Sequence, residues 1–257
     1  RFSCFYFTFF FFFSNLPISH KMVDIKKDKK TTENDALVIT ETYKKAAFTL
    51  SPYYRPYISE VVVPEGFINS RIERLAHSIA SYYGERPYTI VAVMNGAYKV
   101  FNKLNEYLEK IYQAGTYKNA IKCEFVRLTS YTGVKNDEDV EVLGLDLFNV
   151  KDREILVVEN IVETGLSLGI LLDKIQDKGP KDLKLFALLI KENKTSFDFN
   201  IDYLGFQIPA KFVVGYGLDY NEAFRDLNHI CSLNDNGVDS FKKKKSNFAK
   251  ASSIVLN

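Results

Sequence analysis

A chain of 257 residues, 46% hydrophobic and 26% charged, holds enough apolar material for one globular core with tails, which excludes a wholly disordered protein. The formal net charge of +2 is too small to make nucleic acid or an anionic membrane the dominant partner, and the basic runs at 26–30 and 242–245 lie near the ends, where solvated tails account for them. Cys4, Cys123 and Cys231 are widely spaced and form no CxxC pair, which argues against a disulfide framework or a zinc site and suits a reducing, cytoplasmic compartment.

In chain order, residues 7–13 with their neighbours form an apolar run that includes five consecutive phenylalanines. It lacks an A-x-A-like cleavage site and is too short to span a bilayer as a helix. Residues 1–21 are therefore expected to be a non-native extension derived from untranslated sequence, with the functional protein starting at Met22. Residues 22–54 read as a polar tail, 55–240 as the folded domain and 241–257 as a basic tail. Within the domain, apolar runs predict strands at 61–63, 89–94, 123–128, 154–158, 185–190 and 212–216, with helices at 67–83, 98–113 and 168–178. Phe101, Leu104, Leu108, Ile111 and Tyr112 recur mostly at spacings of three and four, giving the second helix one buried face. Several strands are apolar without alternation, which marks strands covered on both sides and hence a mostly parallel α/β sheet. No repeat of 20–50 residues is present.

The most informative stretch is Glu154-Ile-Leu-Val-Val-Glu159-Asn160-Ile-Val-Glu163-Thr164-Gly165-Leu166-Ser167. It reads as strand, acidic loop, then helix, with Gly179-Pro180 as the stop. A Thr-Gly-x-Ser turn feeding a helix at the carboxyl end of a parallel strand gathers free amides, hydroxyls and the positive helix end, a setting for phosphate. A helix cap alone would explain Thr164 or Ser167. Glu159 and Glu163, however, would be poorly placed beside an anion unless a metal or a polyhydroxyl ligand lay between.

Val157-Val158-Glu159-Asn160-Ile161-Val162-Glu163-Thr164-Gly165 resembles the phosphoribosyl-pyrophosphate signature of type I phosphoribosyltransferases. Residues 211–229, running Lys-Phe-Val-Val-Gly-Tyr-Gly-Leu-Asp-Tyr-Asn-Glu-Ala-Phe-Arg-Asp-Leu-Asn-His, resemble the carboxy-terminal block of the hypoxanthine-guanine members. The stretch at 124–131 is similar to the entry to their catalytic loop, and that at 93–101 to their pyrophosphate loop. These four blocks stand in family order and span about residues 57–236.

The resemblance implies the type I fold, a mostly parallel twisted sheet flanked by helices with a small hood made from both terminal segments. It implies transfer of phosphoribosyl from phosphoribosyl pyrophosphate (PRPP) to hypoxanthine or guanine, giving IMP or GMP, with Mg2+ and as a homodimer or homotetramer. By the same resemblance Glu163 is the catalytic carboxylate, and Thr164, Gly165, Leu166 and Ser167 hold the 5′-phosphate. Glu159 and Asn160 face the ribose, and Glu159 and Asp219 stand at the metal. Asn95, Gly96 and Arg225 take pyrophosphate, Ser130 and Tyr131 close over the reaction, and Lys191, Phe212, Val213 and Asp219 form the purine pocket. Taken singly, Phe212 could equally be core, and Asp219 and Arg225 a surface ion pair.

Three single positions and one loop depart from the pattern. Glu163 stands where the family has aspartate, and one extra methylene matters because a misplacement of about 1 Å can cost on the order of a hundredfold in rate. Asn160 replaces a second carboxylate, Leu166 a usual lysine, and Met94-Asn95-Gly96-Ala97 the usual Leu-Lys-Gly-Gly. That last loop carries a non-proline cis peptide in the family, a conformation that nothing in Met94-Asn95 itself prescribes. A relative that keeps nucleotide binding and assembly but has weak or no turnover is the alternative expectation.

Overall fold

Strands without a polar face need cover on both sides, and that requirement organises the chain. The computed structural model describes residues 36–115, 117–130, 140–192 and 199–242. Its elements are β1 (Leu37–Val38), β2 (Tyr43–Lys44), β3 (Ile58–Val63), α1 (Glu65–Tyr83), β4 (Tyr88–Met94), α2 (Tyr98–Gln113), β5 (Ile121–Ser130), β6 (Val140–Leu143), β7 (Glu154–Val162), α3 (Leu166–Asp177), β8 (Asp182–Lys191), β9 (Tyr203–Ile208), β10 (Val213–Val214), β11 (Ile230–Leu233) and α4 (Asp235–Phe241). The main sheet runs β1-β9-β8-β7-β4-β5-β6, parallel at every pairing except the β5–β6 hairpin.

The two central strands divide their side chains between two cores. Ile90 and Ala92 of β4, with Leu156 and Val158 of β7, face Ile68, Ile72, Leu75 and Ile79 of α1 and Val100, Leu104 and Leu108 of α2. Val91, Val93, Ile155 and Val157 turn the other way, against Leu168, Leu171, Leu172 and Ile175 of α3. This is the period-two alternation of a strand. Truncating a fully buried member such as Ile72 or Leu75 to alanine would cost about 2–5 kcal/mol. The buried Arg71 ties α1 to the sheet edge by donating to the carbonyls of Leu204 at 2.7 Å and Gly205 at 3.2 Å.

The hood is a second, antiparallel sheet in the order β10-β11-β3-β2. Leu50, Ile58, Val61, Val214, Phe224, Leu227 and Cys231 form its core.

Several sequence expectations change. The polar tail read over 22–54 is folded in its described part: Leu37 and Val38 pair with Phe206 and Gln207, and Tyr43 with Val61, because this segment carries apolar side chains among its charges. The strand expected at 154–158 continues to Val162, carried by its ladder with β8 through Ile190. The helix expected at 168–178 starts two residues earlier, at Leu166. The strand expected at 212–216 is reduced to Val213–Val214, because Gly215 (φ 93°), Tyr216 (φ 50°) and Gly217 (φ 96°) turn the chain sharply. Strands β6, β9 and β11 and helix α4 are not among the expected elements. Residues 1–21 and 243–257 lie outside the described residues, and no described helix is long and apolar enough to cross a membrane.

Candidate active site

Strands β4, β5, β7 and β8 run parallel, so their carboxyl ends deliver Asn95–Gly96, Ser130, Glu159–Glu163 and Lys191 to one edge of the sheet. The peptide between Met94 and Asn95 is cis. Asn95 is exposed, while the next helical turn is closed by Ala97 N donating to the Val93 carbonyl at 3.1 Å.

Because β7 continues through this region, Glu159 and Asn160 are consecutive strand residues and belong to opposite faces. Both are expected at the ribose, yet their side chains differ in exposure: Glu159 is half-buried. Asn160 is fully buried, and its Nδ2 donates to the carbonyls of Gly96 at 2.9 Å and Tyr216 at 2.8 Å. It is a stitch between the β4–α2 loop and the hood, lying beneath the site. Its Oδ1 is buried without a hydrogen-bond partner. Glu159 accepts from the Asn160 amide at 2.6 Å, and burial pushes its carboxyl up to about 7 despite that bond.

Helix α3 begins after Gly165, whose φ of 75° lies in the left-handed region that glycine adopts without strain. No side chain caps this turn in the usual way; Leu166 N reaches Thr164 Oγ1 only at 3.5 Å. The first-turn amides are therefore presented to an anion. Thr164 and Leu166 are exposed and Ser167 is half-buried. Glu163, immediately before this turn, forms an ion pair with Lys191 at the end of β8, so the structure brings together the expected catalytic carboxylate and the expected purine-contacting cation.

Four of the remaining expected residues, Phe212, Val213, Asp219 and Arg225, lie in or beside the hood. Asp219 Oδ1 pairs with Arg225 at 2.7 Å, and Asp219 Oδ2 accepts from the Glu222 amide at 2.7 Å. Arg225 also donates to the Gly217 carbonyl at 2.7 Å. Phe212 is 52% exposed and meets Tyr220 edge-on at a centroid distance of 5.3 Å, so it is not core. Val213 is buried and pairs with Ser232. Ser130 closes β5 opposite Val140; Tyr131 lies outside the described residues.

No cluster of three or more His, Cys, Asp or Glu suited to a metal occurs among the described residues. A metal completed by phosphate oxygens needs only one or two protein carboxylates. Glu159 fits that requirement, since its desolvated carboxyl has no described cation close enough to offset the effect of burial. Asp219 has both oxygens engaged and would contribute through its remaining lone pairs.

With this geometry in hand, comparison with known proteins is decisive. The phosphoribosyl transferase domain family matches residues 67–221. Hypoxanthine-guanine phosphoribosyltransferase of Mus musculus is 34% identical over 215 residues, covering 82% of this chain and 99% of the relative. The chain belongs to the phosphoribosyl transferase family. Among other relatives, phosphoribosyltransferase domain-containing protein 1 of Xenopus laevis is 35% identical over 201 residues, covering 78% of this chain and 90% of the relative. The phosphoribosyltransferase fold is shared with a hypoxanthine-guanine phosphoribosyltransferase of Schistosoma mansoni in complex with IMP, at TM-score 0.68 and 31% identity over 80% of this chain and 99% of that one. It is shared also with a hypoxanthine phosphoribosyl transferase of Trypanosoma cruzi, at TM-score 0.64 and 28% identity over 72% and 95% of the two chains.

Several residues of this phosphoribosyltransferase escaped sequence reasoning. Lys99 Nζ donates to the carbonyls of Asp226 at 2.7 Å and Leu227 at 3.1 Å, and Tyr98 Oη to that of Arg225 at 3.2 Å, fastening the Arg225 loop to the start of α2. Gly217 packs so closely that a Cβ there would lie 2.1 Å from the Gly96 oxygen. Its signal was the Gly-Tyr-Gly run at 215–217; the contacts of Lys99 and Tyr98 end on backbone oxygens and leave no pattern in sequence.

Proposed function

We infer that the chain is a phosphoribosyltransferase of the hypoxanthine-guanine type, which transfers phosphoribosyl from PRPP to hypoxanthine or guanine and yields IMP or GMP plus pyrophosphate, a purine-salvage reaction. The observation that carries this reading is a juxtaposition: the uncapped start of α3, suited to a phosphate, directly follows a carboxylate held by a lysine from the neighbouring strand.

In the reaction the bond from the ribose C1 to pyrophosphate breaks, the bond to N9 of the base forms, and the N7 proton leaves to Glu163. Lys191, the ion-pair partner of Glu163, binds the purine carbonyl beside the carboxylate that takes that proton. The Thr164–Ser167 turn holds the 5′-phosphate. Glu159 faces the ribose, and Arg225 with the Asn95–Gly96 loop receives pyrophosphate. Phe212 supplies an aromatic face for the base, with Val213 and Asp219 at its edge, and Ser130 with Tyr131 closes the catalytic loop. Glu159 and Asp219 would hold Mg2+, which when bound neutralises pyrophosphate charge as it departs. The working form is a cytoplasmic homodimer or homotetramer.

One observation favours a second reading, a nucleotide-binding relative with weak turnover: the amide of Asn160 is committed to two backbone carbonyls and offers the ribose nothing. Calorimetric titration with IMP and with PRPP, each with and without Mg2+, tests the site itself. Binding of both below about 1 mM, a free energy of about 4 kcal/mol, is expected. Failure of both to bind at that concentration would remove the site reading altogether.

A further inference from the structure

The opposite edge of the main sheet holds a second candidate site. At the amino ends of β4, β5, β7 and β8 lies a cavity of ≈ 310 Å³ whose lining includes Arg86, Lys122, Arg153 and Lys181 against only two carboxylates, Asp152 and Glu154. That volume is at the small end of the range for ligand pockets, which begins at about 300 Å³. From Tyr88 at this cavity to Met94 at the active-site edge, β4 spans about 20 Å at roughly 3.3 Å per residue, so the two sites are separate.

The wall of this cavity is built around a buried acid. Glu154 is 3% exposed, and its Oε1 takes both Arg86 and Lys181 at 3.0 Å, which fixes two cations at the cavity wall. Its Oε2 is buried without a hydrogen-bond partner; as an acceptor it offers nothing to an anion, so the cations alone would hold a phosphate here. Asp152 is held at φ 60°, with its amide donating to the Gly179 carbonyl at 2.9 Å. The side chains of Lys122 and Arg153 make no hydrogen bond or ion pair with any described residue. Four cations, two of them anchored by Glu154 and two unpaired, against the two carboxylates Asp152 and Glu154 leave a local positive excess in a concave site.

We propose that this cavity binds a small phosphate monoester. Lys122 and Arg153 supply charge-assisted hydrogen bonds to the phosphate, while Arg86 and Lys181, held by Glu154, complete the positive wall. The assignment does not rest on the transferase reading of the other edge.

The test is titration of the full chain, labelled with 15N, with glycerol 3-phosphate, using glycerol as the uncharged control and following the amides of Lys122, Asp152 and Arg153. Saturable shifts at these amides with half-saturation near or below about 1 mM, and none with glycerol, are expected. Lys122→Ala/Arg153→Ala leaves the Glu154 network intact and, by removing two charge-assisted hydrogen bonds, should weaken binding by about a hundredfold or more. Absence of saturable shifts, an equal response to glycerol, or unchanged affinity in the double variant would overturn the proposal. Because the readout is local to the amino edge, these outcomes are independent of turnover and of active-site occupancy.

Discussion

Asn160→Asp asks what the buried amide does, because the resembled family carries a carboxylate at this position. Here the substitution replaces a nitrogen that donates to two carbonyls at 2.9 and 2.8 Å with an oxygen that can only repel them. Leaving a buried carbonyl without its donor costs about 1–3 kcal/mol, so losing both comes to about 3 kcal/mol or somewhat more, before the carboxylate is desolvated. In a chain of this size each kcal/mol moves Tm by about 2–4 °C, and the ligand-free variant should melt about 6–12 °C lower than the natural protein at pH 7.5. The new carboxyl group would have a raised pKa in the folded state. Its penalty is therefore least below its unfolded pKa of about 3.9 and grows as pH rises through the folded value, so the melting difference should shrink at pH 4.5. Asn160→Ala, which removes the donor without adding charge, should fall in between and show no such pH dependence. Calorimetric melting at both pH values is the assay. A variant that melts within about 2 °C of the natural protein at pH 7.5 would refute the stitch.

Three further outcomes are expected. Phe212→Ala should raise KM for hypoxanthine by about 3–10-fold, the worth of one aromatic contact, with Tm unchanged because the ring is 52% exposed; an unchanged KM would remove Phe212 from the base pocket. Gly217→Ala sets a Cβ 2.1 Å from the Gly96 oxygen and 3.0 Å from Asn160 Nδ2 at φ 96°, and a loss of about 2–4 kcal/mol in denaturant unfolding is expected; an unshifted midpoint would contradict the close approach. His229 accepts from the Glu65 amide through Nδ1 at 2.9 Å, and burial lowers its pKa. A base with a lowered folded pKa contributes stability that is present above its unfolded pKa of about 6.5 and lost as pH falls through the folded value. Melting curves should therefore show His229→Asn, which retains an acceptor near Nδ1, losing less stability than the natural protein between pH 7 and 5.

What the sequence made legible follows from how locally each feature is encoded. Helix α2 was read at its observed bounds because an amphipathic face repeats along one segment, and the central strands were evident from apolar runs. The order of the sheet and the existence of β9 and β11 depend on long-range pairing, which leaves little local trace. At the site, the motif residues pair with one another, Glu163 with Lys191 and Asp219 with Arg225, and are legible because chemistry restricts residue type there. The burial of Asn160 is not legible in the sequence because it depends on where β7 ends. Four more residues of strand set the side-chain alternation, and with it the face on which the amide lies.

The most direct measurement is formation of IMP and GMP from PRPP and the free bases, in Mg2+, by the full chain, beside Glu163→Ala. Steady turnover by the natural sequence is expected, with a loss of about 100-fold or more in kcat/KM when the proton-accepting carboxylate is removed. Undiminished turnover in Glu163→Ala would contradict the role of that carboxylate. Absence of product from the natural sequence, with IMP and PRPP still bound, would contradict the transferase activity itself.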